Sequence, residues 1–419
     1  MDEATQTAGL LSEFAVSECR VPEANISPKV EQAKASPRFA AALSNQLKSV
    51  FGTGLLAMPY AMLTVGVPVG VLLTIIVGVW AIYTMHLLAR CTILADGPPY
   101  SELVRMAFGD TCGRLVTANL MLHQIAVCAA YLVFIGENLR EPLGLATSYP
   151  VMITVTAPFV LLCWLQDMRR LMATSAFGTA TLLLSLLLVL REASLQPPAH
   201  RALHLWHLEL PSASRVASFT GIALFTFAGH SETVAIVQVL GDERERYGQI
   251  GFFLAGFGIP IVTCFAVAAY VGFGALTAKN VLLNVHSSSG TVLKLALSTV
   301  AFLSMPVKMF PASQIAEHAL FAGSAGSAVV LRRALRTALA LTSTLLALLL
   351  PDFEFLVALI GTFCMGIIAF VVPPLMYCSL GRERLGAATL AVHGALGVAG
   401  ICVTLVATAL VISKPSSMR

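Results

Sequence analysis

Apolar residues run along this chain in long unbroken stretches rather than in alternation. Leu72–Leu88, Leu171–Leu190, Ile250–Phe273, Ala338–Leu350 and Phe355–Leu375 contain no Asp, Glu, Lys or Arg. About 20 such residues in a helix cross the hydrocarbon core of a bilayer. With no water there to satisfy backbone groups, only helices and closed barrels can span. Barrel strands would alternate with a period of two, which these runs do not. The pattern predicts an all-α polytopic membrane protein of about eleven transmembrane helices, at about 41–65, 68–90, 113–137, 150–167, 171–190, 216–239, 248–274, 293–320, 333–350, 354–379 and 389–412. Between the second and third spans, Tyr100–Gly109 reads as a short amphipathic helix. Ser101 is its cap, and Leu103, Met106, Ala107 and Phe108 form its apolar side.

The first 38 residues break the pattern. They are polar, contain Pro22, Pro28 and Pro37, and have no apolar run that would make a cleavable leader. They read as a disordered tail, followed by a transmembrane domain over 39–415. With the tail in the cytosol, sixteen Lys and Arg fall on its face and eight on the other, and Lys48 and Lys308 lie within spans. That bias supports a cytosolic N-terminus and a lumenal or extracellular C-terminus. The Asn25-Ile26-Ser27 glycosylation triplet then faces the cytosol and stays unused.

Composition narrows the function classes. Charged residues make up 11% of the chain, against about 25% in soluble domains, too few to coat a water-facing surface. The net charge of +4 is no footprint for nucleic acid. Five of nine cysteines (Cys128, Cys163, Cys264, Cys364, Cys402) lie within spans, without disulfide or zinc spacing. There is no HExxH, no Gly-x-Ser-x-Gly, no Walker A sequence and no paired intramembrane aspartates. No cofactor is expected, and the chain does not read as an enzyme.

Two spans are interrupted. The first carries Gly52-Thr53-Gly54 with Pro59 one turn on. Each glycine weakens a helix by roughly 1 kcal/mol, and the proline removes a backbone bond. The sixth carries Phe225-Thr226-Phe227-Ala228-Gly229-His230-Ser231-Glu232. Each interrupted span heads one half of a five-plus-five arrangement: repeat one over about 41–190, repeat two over about 216–379, and an extra helix at about 389–412. Paired breaks at corresponding positions mark a transporter's midplane site. Freed N–H groups at a half-helix start would receive a carboxylate. The other reading of these glycines is close helix packing.

Ionisable groups at bilayer depth are functional candidates. Lys308 lies within the eighth span in Ser304-Met-Pro306-Val-Lys308-Met-Phe-Pro311, and Glu232 and His230 follow the sixth-span break. Lys308, with Glu232, is the candidate carrier of a coupling proton. The alternatives are snorkelling of Lys308 to the interface and a purely structural Glu232–Lys308 pair. His230, His123 and His393 read as interior or interfacial histidines, and Lys48 as snorkelling. His200, His204 and His207 cluster in a loop that contains Pro197 and Pro198 and supplies no cysteine for zinc. Asp242–Arg246 reads as a solvated loop with local ion pairs.

The stretch from Asn45 through Gly52-Thr53-Gly54-Leu-Leu-Ala-Met-Pro59-Tyr60-Ala61 resembles the first-span signature of the amino acid/auxin permease family. Tyr100–Gly109, Cys128–Leu139 (with Tyr131, Gly136, Glu137 and Asn138) and Phe227-Ala-Gly-His230-Ser resemble its later segments, the last those of the vacuolar and vesicular branches. The resemblance implies a leucine-transporter-type fold of two inverted five-helix repeats with discontinuous helices one and six. It implies an amino acid substrate and a site formed by Phe51, Gly52, Thr53, Gly54, Tyr131, Phe225, Thr226, Phe227 and Gly229. Ion coupling would involve Asn45, Glu232, Ser304 and Lys308, with H⁺ favoured and Na⁺ as the alternative. Asn45 stands where the proton-coupled branch has histidine, and sodium-coupled relatives carry an asparagine there. Function is then secondary active amino acid transport, with a vacuolar, lysosomal or vesicular membrane favoured over the plasma membrane, or the sensing of amino acids with little net flux. The expected partners are the substrate and the bilayer.

Overall fold

The computed structural model of the chain describes residues 36–165, 175–197, 210–321 and 328–413, and most of the tail and the His200/His204/His207 cluster lie outside these. Helices occupy the predicted positions: α1 (Pro37–Val50), a 3-10 turn (Thr53–Ala57) and α2 (Met58–Val65); α3 (Val67–Leu94); α4 (Tyr100–Arg140); α5 (Tyr149–Cys163); α6 (Ser175–Leu195); α7 (Ala213–Thr226) and α8 (His230–Leu240); α9 (Tyr247–Phe253) and α10 (Ile259–Phe273); α11 (Ser288–Phe321); α12 (Ala328–Leu349); α13 (Phe353–Leu359) and α14 (Val372–Leu380); α15 (Ala387–Ile412). Among the described residues, six helical stretches are long and apolar enough to cross a membrane, at 67–94, 100–140, 213–276, 288–321, 353–380 and 387–412. The helices are apolar on more than one side, as a bilayer requires. On α3, Val77, Ala81 and Met85 are buried while Leu72, Ile75, Ile76 and Val79 are exposed. Exposed leucines and isoleucines in such number form a lipid-facing surface.

The Tyr100 segment differs from its expected form. It is continuous with the third span, and the chain turns between them at Gly109, whose φ of 82° is a left-handed conformation. Its start is capped by Pro99 with no side-chain bond, so Ser101 is not the cap. The buried side is Tyr100, Leu103 and Val104, whereas Met106 is exposed. The segment therefore docks on protein: the Tyr100 hydroxyl donates to the Ile368 carbonyl (3.0 Å), and the Ser379 hydroxyl donates to the Ala107 carbonyl (2.6 Å).

These bonds meet an unusual tenth span. Between α13 and α14, Ile360–Val371 winds as a π-helix, and the Val372 N–H reaches back to the Ile367 carbonyl. π turns are rare and need local support. Here α4 supplies donors, with Tyr100 on Ile368 and Asn119 Nδ2 on the Cys364 carbonyl (3.1 Å). The same segment meets α7 backbone to backbone: a Cβ on Gly361 would stand 1.8 Å from the Gly221 carbonyl oxygen.

Arg336, on α12, is drawn inside the bundle. Its guanidinium pairs with Glu317 (2.5 Å) and donates to the Cys163 and Leu165 carbonyls (3.1 and 2.8 Å) at the end of α5. Both partners of the ion pair are largely buried. Removing one member of a buried pair costs about 3–5 kcal/mol. We expect Arg336→Ala to destabilise by about 3 kcal/mol, with Arg332, 3.9 Å from Glu317, compensating in part. Arg336→Lys should recover only part of the loss, since an ammonium lacks the planar fork. Thermal unfolding of the detergent-solubilised protein reads both.

Candidate transport site

The two breaks lie where the sequence places them, and they face each other. α1 ends at Val50, Gly52 is extended (φ −103°, ψ −169°), and the 3-10 turn begins at Thr53. The first N–H groups of such a turn have no carbonyl within it to bond. α7 ends at Thr226, and α8 starts at His230 after a tight turn through Phe227–Gly229. A Cβ added to Gly54 would stand 2.7 Å from Phe225 Cδ1 and 2.9 Å from Thr226 Oγ1, so the breaks are in contact.

Around this crossing, Phe51, Gly52, Thr53, Tyr131, Phe225, Glu232, Ser304 and Lys308 are half-buried. The Thr53 hydroxyl is buried beside that of Tyr131. Lys308 Nζ donates to Glu232 Oε1 at 2.7 Å, joining α11 to the start of α8. Their side chains are 31% and 30% exposed. Tyr131 lies within electrostatic reach of both charges, as does His123 on the same helix. His123 is 4% exposed and its Nδ1 has no partner.

Other expected site residues are placed differently. Thr226 is 1% exposed and its hydroxyl donates back to the Ile222 carbonyl. Phe227, also 1% exposed, packs on α3 beside Gly78. Gly229 is enclosed by Gln46, Ser49 and Met85, leaving no room beside it for a substrate. Asn45 is exposed, and its neighbour Gln46 is the fully buried residue. One position along a helix turns a side chain by about 100°, which decides which of two adjacent amides enters the core. The Ser304 hydroxyl donates to the Val300 carbonyl of its own helix (2.7 Å). His230 is interior: its Nε2 meets the Thr84 hydroxyl (2.9 Å) and its Nδ1 has no partner. His393 is interior as expected, between the Tyr83 hydroxyl (2.6 Å) and the Thr389 carbonyl (2.7 Å).

The crossing is more exposed toward one side and packed on the other. Exposure rises along α8 from Ser231 and Glu232 to Ala235 and Gln238, and along α11 from Lys308 to Pro311, toward the face where α1 begins. On the opposite side, Leu55, Leu56, Phe134, Ile222, Phe353 and Leu356 are buried. Residues 274–287 cover that end, with Val281, Leu282 and Val285 buried beneath. Lys279 pairs with Asp352, the N-cap of α13, and Asn280 Nδ2 donates to Asn138 Oδ1 (3.2 Å). Glu141 takes bonds from Lys294 (2.9 Å) and His286 (3.3 Å). The bond from Lys294 holds the Glu141 carboxyl below its ordinary range. Its contribution is complete above the ordinary carboxylate range and is lost only as the pH falls through the lowered value, so mild acidity leaves this tie intact.

Broken helices one and six in contact at mid-depth, beside an intramembrane ion pair, are the framework of a solute carrier. A family profile described as "Transmembrane amino acid transporter protein" matches residues 38–415. The chain belongs to that family.

Curated relatives of this amino acid transporter family include the amino acid transporter AVT3C of Arabidopsis thaliana. It is 27% identical over 381 residues, covering 82% of this chain and 83% of the relative. They also include the putative sodium-coupled neutral amino acid transporter 11 of Bos taurus, 23% identical over 361 residues, with 83% and 77% covered. Among solved structures, the inward facing conformation of Mhp1 superposes with a TM-score of 0.59 at 14% identity, over 90% of this chain and 88% of that one. That likeness concerns the fold, which is of the leucine-transporter type. The family and these relatives are transporters, not enzymes.

Proposed function

We propose that this chain moves amino acids across its membrane by alternating access around the crossing of the two breaks, with H⁺ as the coupling ion. The observation that carries the coupling is the Glu232–Lys308 pair, 2.7 Å apart and partly exposed. Ionisable groups at that depth are costly and point to a functional site by default. Protonating Glu232 cancels its attraction for Lys308 and frees α8 from α11. The substrate carboxylate is received by the free N–H groups at Gly52–Gly54, with the Thr53 and Tyr131 hydroxyls beside it.

Sodium coupling is the second reading, favoured by the name of the bovine relative. It would use Asn45 and Ser304 as oxygen ligands. The exposed Asn45 and the Ser304 hydroxyl turned onto its own helix argue against that pairing. The N-terminus is cytosolic on the basic-residue bias, and the sixth-span motif favours a vacuolar or vesicular membrane.

Purified protein in liposomes, given an amino acid mixture and an imposed pH gradient without sodium, should accumulate at least one amino acid, read by mass spectrometry of the contents. Accumulation only under a sodium gradient would replace H⁺ by Na⁺. Saturable binding without accumulation under either gradient would leave a sensor.

A further inference from the structure

Between the end of α11 and the start of α12 lies a recess of about 290 Å³, lined by Gln314, Glu317, His318, Phe321 and Arg332. That is near the lower end of the size range of small-molecule sites. Three arginines, Arg332, Arg333 and Arg336, stand near the start of α12, and the carboxylate at the recess is Glu317. Glu317 is matched by the buried Arg336, its closest partner at 2.5 Å. Arg332 is left 3.9 Å from Glu317, beyond hydrogen-bonding distance, and its enclosed Nε meets no acceptor among the described residues. The Arg333 guanidinium lies 5.4 Å from the Trp164 ring centroid, a contact that leaves its charge uncancelled. Three guanidiniums against one carboxylate leave an excess of two positive charges.

These charges are bracketed by lipid-facing surface. On α12, exposed apolar residues precede them (Val329, Val330, Leu331) and follow them (Leu341, Leu345). Trp164 donates its indole N–H to Thr337 Oγ1 (3.0 Å) and is an aromatic of the kind that sits at headgroup level. At that level the abundant acceptors are lipid phosphates, and basic pockets between spanning helices take anionic headgroups. The planar fork of an arginine meets a phosphate with two parallel hydrogen bonds.

We propose that this recess holds the phosphate headgroup of an anionic membrane lipid. Arg332 takes the phosphate from within the recess, and Arg333, the next residue, adds a second charge beside it. Gln314 and His318 offer further donors along the lining. The acyl chains follow the exposed stripe of α12 through Val330, Ala334, Ala338, Leu341 and Leu345. Arg336 takes no part, because it is spent on Glu317 and on the carbonyls at the end of α5. The lipid joins α11 to α12, so its binding stabilises the fold.

Full-length protein in a neutral detergent is titrated with dioctanoyl phosphatidic acid, and bound lipid is counted by native mass spectrometry. We expect one lipid to be retained in preference to dioctanoyl phosphatidylcholine. Arg332→Gln with Arg333→Gln should weaken binding by about thirtyfold, from the loss of two basic side chains at an anionic headgroup. Arg333→Gln alone leaves both Glu317 pairs in place and should weaken it by about fivefold. Arg382→Gln with Arg384→Gln removes the same charge from an exposed turn elsewhere and should bind as the parent does. The lipid should also raise the unfolding temperature of the parent, and not that of the protein lacking Arg332 and Arg333. Equal retention of phosphatidylcholine overturns the proposal, as does equal weakening in the two double variants, which would mark a general effect of surface charge. Full displacement by an equal concentration of inorganic phosphate would make the ligand a free anion and overturns the lipid assignment.

Discussion

Lys308→Ala is expected to abolish proton-driven accumulation and to destabilise the protein by about 2–3 kcal/mol. The stability loss falls at or below the ~3–5 kcal/mol seen when a fully buried pair loses one member, because about a third of each side chain is exposed. Glu232 is left at membrane depth without its cation, and at neutral pH that carboxyl either protonates or draws in water. The informative comparison is the double variant Lys308→Met with Glu232→Gln. It removes both charges, so thermal stability should return to near the parent value. Coupling should not return, because neither side chain can then alternate between paired and unpaired states. Proteoliposomes carrying the double variant should equilibrate substrate without concentrating it. Concentration to the parent level by this variant would show that the proton is carried elsewhere, and His123 would be the next group to replace.

Gly361→Ala is the second large effect expected. A Cβ there would lie 1.8 Å from the Gly221 carbonyl oxygen and 2.5 Å from its carbon. In the reverse direction, a Cβ on Gly221 would lie 2.2 Å from the Ala358 carbonyl oxygen. The obstructing atoms are backbone on both sides, so no side-chain rotation relieves the clash. Overpacking typically costs about 1–3 kcal/mol, and we place this substitution at about 3 kcal/mol or above. The shift also displaces α7, which carries Phe225 and Thr226 at the crossing. Expression and unfolding temperature should both fall, and residual transport should be slow. Gly394→Ala is the matched control: a Cβ there meets nothing within 4 Å, and it lies within a helix where alanine is favoured. A Gly361→Ala protein as stable as the Gly394→Ala protein would mean that α7 and the π segment do not cross this closely.

The pattern of apolar runs was enough for the membrane-spanning class and for the helix positions, because a bilayer leaves the backbone no alternative to helix over such stretches. The breaks at Gly52–Gly54 and Gly229 were legible for a related reason. Glycine and proline act on the backbone of their own residue and its immediate neighbours, which needs no tertiary knowledge. Lys308 and Glu232 stood out because charge is rare and costly at that depth. That the two are 2.7 Å apart could not be read, since they are 76 residues apart in the chain.

What the tertiary structure decided is direction. Asn45 and Gln46 are adjacent amides of similar chemistry, and only the packing of α1 against α8 and α9 sends Gln46 inward and leaves Asn45 exposed. Phe225 and Phe227 likewise lie two residues apart at one break, yet one faces Gly54 and the other packs beside Gly78. Ser101 offered a cap by type, but the helix starts one residue earlier, after Pro99. The π-helical turn of the tenth span left no mark in composition, because its support is borrowed from Tyr100 and Asn119, more than two hundred residues away. Local chemistry is written residue by residue, so the sequence determined which elements form and where they fail. Which face of each element meets which neighbour depends on contacts between distant segments, and only the folded arrangement decides it.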